Sequence, residues 1–234
     1  MTDELSSERL QRNLLIMTTE HSTLQGTRGT TVSEANSRVS SYLVSVSSTL
    51  VALAFIGQIS RLGSAFFVFG LVLFPSVFLL GLFTFERVLQ SGLEDLMCIR
   101  EIQRIRHYYL EQAPELADYF LMSTHDDAAG MAHDMGVVPS RIWKYFQSFL
   151  STSGMVAVVN SILAGVFVGL AIAFLIGPPR VVSVLAGILA FGLSAFAHQS
   201  YQTARWFAVD RRLVVRFPSL DEDQDMAAVT VTPD

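Results

Sequence analysis

The chain has 234 residues, of which 51% are hydrophobic and 16% charged, and its mean hydropathy is +0.43. Soluble domains carry about 25% charged residues, so this composition argues against a soluble globular enzyme or binding domain. A formal net charge of −5, with acids interspersed among the basic residues, argues against nucleic-acid binding, and the lone Cys98 excludes an intrachain disulfide.

In chain order, residues 1–38 are polar, acids included, with no short apolar core ahead of a small-residue cleavage site, so they do not read as a cleavable signal peptide. Leu10, Leu14, Met17, His21 and Leu24 recur at alternating spacings of four and three, the pattern of a short amphipathic helix. Its acids Glu4, Glu8 and Glu20 favour packing on another helix over binding an anionic lipid surface. Residues 26–31, with two glycines, read as a flexible break.

Four stretches then contain no Asp, Glu, Lys or Arg: 39–60, 62–85, 145–179 and 181–204. At about 1.5 Å rise per residue, each suffices for a hydrocarbon core about 30 Å thick. The predicted fold is all-α: a polytopic membrane protein with four transmembrane helices, arranged as two tight hairpins, plus cytoplasmic helices. The first hairpin covers 39–85 and turns at Arg61, Leu62, Gly63 and Ser64. The second covers 150–204 and turns at Gly177, Pro178, Pro179 and Arg180. Arg61 and Arg180 are the only basic residues on the turn side, against fourteen at the opposite ends, among them Arg38, Arg87, Arg141, Lys144, Arg205, Arg211 and Arg212. Positive residues stay in the cytoplasm, so both termini and the middle segment are expected inside, in a plasma (inner) membrane. Trp143, Tyr145, Tyr201 and Trp206 would form an interfacial belt.

The second span is expected to continue as a helix to about Ala113, where Pro114 ends it. Leu93, Leu96, Ile99, Ile102 and Ile105 recur every three residues, so the stripe walks around the helix and needs more than one covering neighbour. Arg100, Arg104, His107 and Glu111 share a face that reads as solvated in preference to a phosphate-binding row. A short helix with Pro at its first position is expected over 114–122. Residues 123–140 read as a loop within the cytoplasmic segment 86–149, and Ser140 as the cap of a helix carrying Arg141 into the third span. The tail 205–234 turns acidic at Asp221, Glu222 and Asp223, and its end is expected to be disordered.

Within the third span Ser153, Ala157, Ser161, Gly165, Gly169, Ala173 and Gly177 recur every fourth residue, an extended GxxxG ladder for close helix packing. Either the fourth span, with its shorter series Ala186, Ala190 and Ser194, or a second copy of the chain could fill it. Ser45, Ser48, Asn160 and Ser194 are candidates for a polar layer or a pore, with Ser48, Asn160 and Ser194 at similar depth. The spans carry no acid or base other than His198, which reads as an interfacial donor. Pro75 should kink the second span.

His125, Asp126, Asp127, His133 and Asp134 are metal-ligand types without the tight Cys/His spacings of structural zinc sites. Asp126 with Asp127 and Glu94 with Asp95 read as exposed carboxylates with no apolar pocket to tune them. No GxSxG, HExxH or GxxxxGK[ST] occurs. No catalytic residue, metal or cofactor is therefore assigned. The expected function is a non-enzymatic multi-pass subunit that oligomerises or binds a membrane partner protein. The alternatives are an ion channel or small transporter, and, more remotely, a membrane-embedded enzyme. The two hairpins resemble small bacterial tetraspan proteins, an architectural likeness that implies no activity. Fifteen arginines against one lysine fit a bacterial source.

Overall fold

A computed structural model describes residues 2–136 and 148–219. Among these there are helices and turns and no strand. The elements are α1 (Thr2–Ile59), α2 (Ser64–Gln112), a 3-10 helix (Pro114–Tyr119), α3 (Ala128–Asp134), α4 (Thr152–Leu175) and α5 (Arg180–Asp210). Four of these helices, α1, α2, α4 and α5, are long and apolar enough to cross a membrane. The chain divides into two compact units. A polar unit comprises 1–31, 94–140 and 211–234, and an apolar unit comprises 32–93 and 141–210.

The break expected at 26–31 is corrected, because α1 runs through it. Glycine lowers helix propensity but does not end a helix whose other bonds are intact. Here Thr23, Thr27 and Thr30 each donate a hydroxyl to a carbonyl one turn back, and Arg28 bonds Asp95 of α2 at 2.6 Å. Gly26 and Gly29 face open space, so neither is needed for a close approach.

In the polar unit the predicted stripe of α1 packs on α2. Leu24 and Met17 join Ile102, Ile105 and Tyr109, and His21 stacks on Tyr109 with ring centroids 5.9 Å apart. Leu96, Ile99, Ile102 and Ile105 are all buried. The helix expected over 114–122 is a 3-10 turn ending at Tyr119. The loop expected over 123–140 is also corrected: Asp127 caps α3, its side chain accepting the Gly130 N–H at 2.7 Å. A side chain on Gly130 would strike the His125 carbonyl at 2.1 Å, so that cap requires glycine.

In the apolar unit α1, α2, α4 and α5 share one core that includes Tyr42, Leu53, Phe74, Phe85, Leu89, Val156 and Leu163, with Trp206 against it. Arg61 and Leu62 both take left-handed backbone conformations between α1 and α2. Gly63 follows because a Cβ there would stand 2.8 Å from the Ser60 carbonyl. Pro75 lies inside α2 without ending it. A single helix carrying Arg141 into the third span is corrected as well. Ser151 is extended and caps α4, its hydroxyl accepting the Gly154 N–H at 3.1 Å, so α4 begins afresh at Thr152. Ser140, Arg141, Trp143, Lys144 and Tyr145, like the acidic run at Asp221, Glu222 and Asp223, lie outside the described residues.

Candidate functional site

Asn160 is the centre of a polar node in the apolar unit. It is completely buried, and an amide removed from water must find partners. Tyr42 Oη on α1 donates to Asn160 Oδ1 at 3.3 Å, and Asn160 Nδ2 meets His198 Nε2 on α5 at 3.4 Å. His198 Nδ1 reaches the Ser194 carbonyl at 2.8 Å and its hydroxyl at 3.4 Å. The imidazole stands edge-on to Phe85 of α2, centroids 4.9 Å apart. Gly81 of α2 makes room for the whole arrangement, since a Cβ there would lie 2.1 Å from Asn160 Oδ1 and 2.8 Å from Tyr42 Oη.

Of the predicted layer, Asn160 and Ser194 therefore come together, through His198. Ser48 is exposed and Ser45 bonds back to the Ser41 carbonyl, so neither reaches the node. Tyr42 takes the place given to serine. His198, read as an interfacial donor, is instead buried among three helices.

The small-residue ladder splits along its length. Ser153, Ala157, Ser161 and Gly165 are buried, whereas Ala173 is half-buried and Gly177 exposed. Gly165 and Gly187 meet backbone to backbone: a Cβ on either would lie 2.8 Å from the other's carbonyl oxygen. Gly169 faces the Ser183 carbonyl, at 3.2 Å from such a Cβ. The matching series on α5 is thus Ser183, Gly187 and Phe191, not Ala186, Ala190 and Ser194. Helix period alone admits several such series, and only packing selects one.

A second polar cluster joins α5 to the start of α4. Gln202 Nε2 donates to the Ser148 carbonyl at 3.1 Å and to the Ser151 hydroxyl at 3.2 Å, and Gln199 donates to the Ser148 hydroxyl.

Asp126 and Asp127 are neither exposed nor untuned, which corrects the sequence reading for that pair, whereas Glu94 is exposed as expected. Asp126 and Asp127 are completely buried and hold residues 213–219 as a strap. Asp126 accepts the Phe217 N–H at 2.8 Å, the Arg216 N–H at 2.9 Å and the Arg104 guanidinium at 2.6 Å. Its own N–H donates to the Phe217 carbonyl at 3.2 Å. Asp127 accepts from the Ser219 hydroxyl at 2.6 Å and from the Ser219 N–H. Burial pushes both carboxyls up, yet these donors outweigh it and hold both below the usual carboxylate range. Asp134 likewise accepts from Gln103 at 3.1 Å, Arg106 at 3.0 Å and the Ser123 N–H at 2.6 Å.

The face read as solvated is the strap's seat. Arg100 donates to the Leu213 carbonyl at 3.1 Å, Arg104 to that of Val214, and His107 stacks on Phe217 with centroids 3.9 Å apart. No group of three or more metal-ligating side chains occurs among the described residues.

These features define the class: among the described residues the chain is all-helical, with four helices of membrane-spanning length and apolarity. Comparison with protein-family models, curated proteins and solved structures found no match to this chain.

Proposed function

We propose that this chain is a non-enzymatic multi-pass membrane subunit that binds a partner protein or a second copy through its polar unit. In this reading the uncharged stretches cross the plasma (inner) membrane as two tight hairpins, and the polar unit and both termini are cytoplasmic. The observation that carries the proposal is an apolar run on that polar unit. Leu116, Tyr119, Leu121 and Met122 are 41%, 79%, 88% and 48% exposed, outside any stretch that lipid would cover. A cluster of this kind on a water-facing surface marks an interaction site. The bonds that saturate Asp126, Asp127 and Asp134 favour a structural role for the acids over acid–base chemistry. Photo-crosslinking from position 121 in native membranes tests the reading. An adduct of defined mass, lost in Tyr119→Arg, is expected, and monomer alone would overturn it.

A channel or small transporter is the second reading, favoured by the Tyr42–Asn160–His198 node, which contains the one histidine in the uncharged stretches. Liposome flux at background for every ion tried would remove it.

A further inference from the structure

The groove between α4 and α5 points to a binding site for one phospholipid. Near the turn that joins the two helices, Gly169, Ala173 and Gly177 on α4 and Ser183 and Gly187 on α5 line a trough of about 950 Å³, with Arg180 at its mouth. It arises because Gly165 and Gly187 draw the helices into backbone contact, while small residues further along leave the flank unfilled. The lining is almost wholly apolar, as an acyl chain requires, and the size lies within the usual range of ligand cavities.

Two observations name the headgroup end. The Ser183 side chain is only 6% exposed, lines the trough, and its hydroxyl has no hydrogen-bond partner among the described residues. An unmet hydroxyl in an apolar surround is unfavourable until something bonds it. Arg180 is exposed, with no ion pair among the described residues, and opens the 31-residue α5. Guanidinium and helix N-terminus both attract phosphate there. The two residues share a helix face three positions apart, about 4.5 Å of rise, so phosphate at Arg180 brings the glycerol ester oxygens down to Ser183.

A second copy fits the trough less well. The four uncharged stretches contain no acid, and the only charges at the turn level are Arg61 and Arg180, so a neighbouring copy would bring like charge to the mouth. The inference rests on the proposed reading that these stretches cross the bilayer.

The test measures phospholipid retained per chain by native mass spectrometry after extensive washing in detergent, with phosphatidylglycerol supplied. One lipid per chain is expected for the wild type. Retention should fall at least fivefold in Arg180→Gln and in Ala173→Leu, which fills the trough, and about twofold in Ser183→Ala, with Arg180→Lys recovering part of it. Circular dichroism identifies any variant that fails to fold, and Arg180→Gln, on an exposed side chain, decides the matter alone. Equal retention in wild type and Arg180→Gln would overturn the site. So would a disulfide-linked dimer through Ile188→Cys in unsubstituted surroundings, because that would seat a second copy in the trough. Failure of the membrane reading is scored separately, by release of the chain from membranes in alkaline carbonate.

Discussion

Asn160 of α4 lies directly over the bare α-carbon of Gly81 of α2, and the space a single methyl group would need is already occupied by the amide oxygen. The relationship joins sequence to packing: the glycine admits the buried amide, and the amide then bonds α1 and α5. Gly81→Ala is expected to destabilise the apolar unit by about 2 kcal/mol, because Asn160 is held by Tyr42 and His198 and cannot swing aside. Thermal unfolding in detergent measures the loss. In the Gly81→Ala/Asn160→Ala double variant the clash with the amide is gone and only the closer fit to the Tyr42 hydroxyl remains, so the combined cost should fall short of the sum by about 1 kcal/mol or more.

Gly165→Leu and Gly187→Leu should each separate α4 from α5, since the two backbones touch at this point. A loss of at least about 3 kcal/mol is expected from overpacking against main chain that cannot yield. Gly192→Ala on α5, where nothing stands within 4 Å, should cost nothing by comparison. Denaturation by titrated SDS distinguishes the two results.

Gly26→Ala and Gly29→Ala are expected to stabilise the chain. Both positions are helical, and an added Cβ meets nothing within 4 Å. Each exchange should contribute up to about 1 kcal/mol from helix propensity alone. A fall in melting temperature for either variant would mean that residues 26–31 are not helical.

The strap should respond to acid. Asp126 and Asp127 have carboxyls held below their unfolded value, so their contribution is complete above about pH 4 and is lost as pH falls through the folded pKa. Hydrogen exchange at the Arg216 and Phe217 amides, corrected for its intrinsic pH dependence, should show protection retained down to about pH 4 and lost below it. Protection already lost well above that range would show that these two carboxyls are not what holds the strap. Asp126→Ala should release the strap at neutral pH, at about 3 kcal/mol, because it strands Arg104 and two main-chain donors.

The helices and their apolar lengths were legible because each depends on local composition and period. The continuation of α2 to Gln112 followed from the absence of a stop signal before Pro114. What was not legible was azimuth and distant pairing. Ser48 was placed with Asn160 by depth, yet six residues from Tyr42 is about 240° around the helix, which turns it away from the node. The row Arg100, Arg104 and His107 looked solvated because its partners lie about 110 positions later in the chain, and no spacing reveals them. At 26–31 the glycines signalled a break, while the threonine back-bonds that accompany a continuous helix carry no comparable pattern.

Residues 213–219 follow all four long helices in the chain, yet Asp126 and Asp127, which hold them, precede α4. During synthesis the two carboxylates must therefore wait, without their principal partners, until α5 has left the ribosome. The polar unit is consequently the last part to mature, and a ribosome arrested before Leu213 would display it with its central seat still empty.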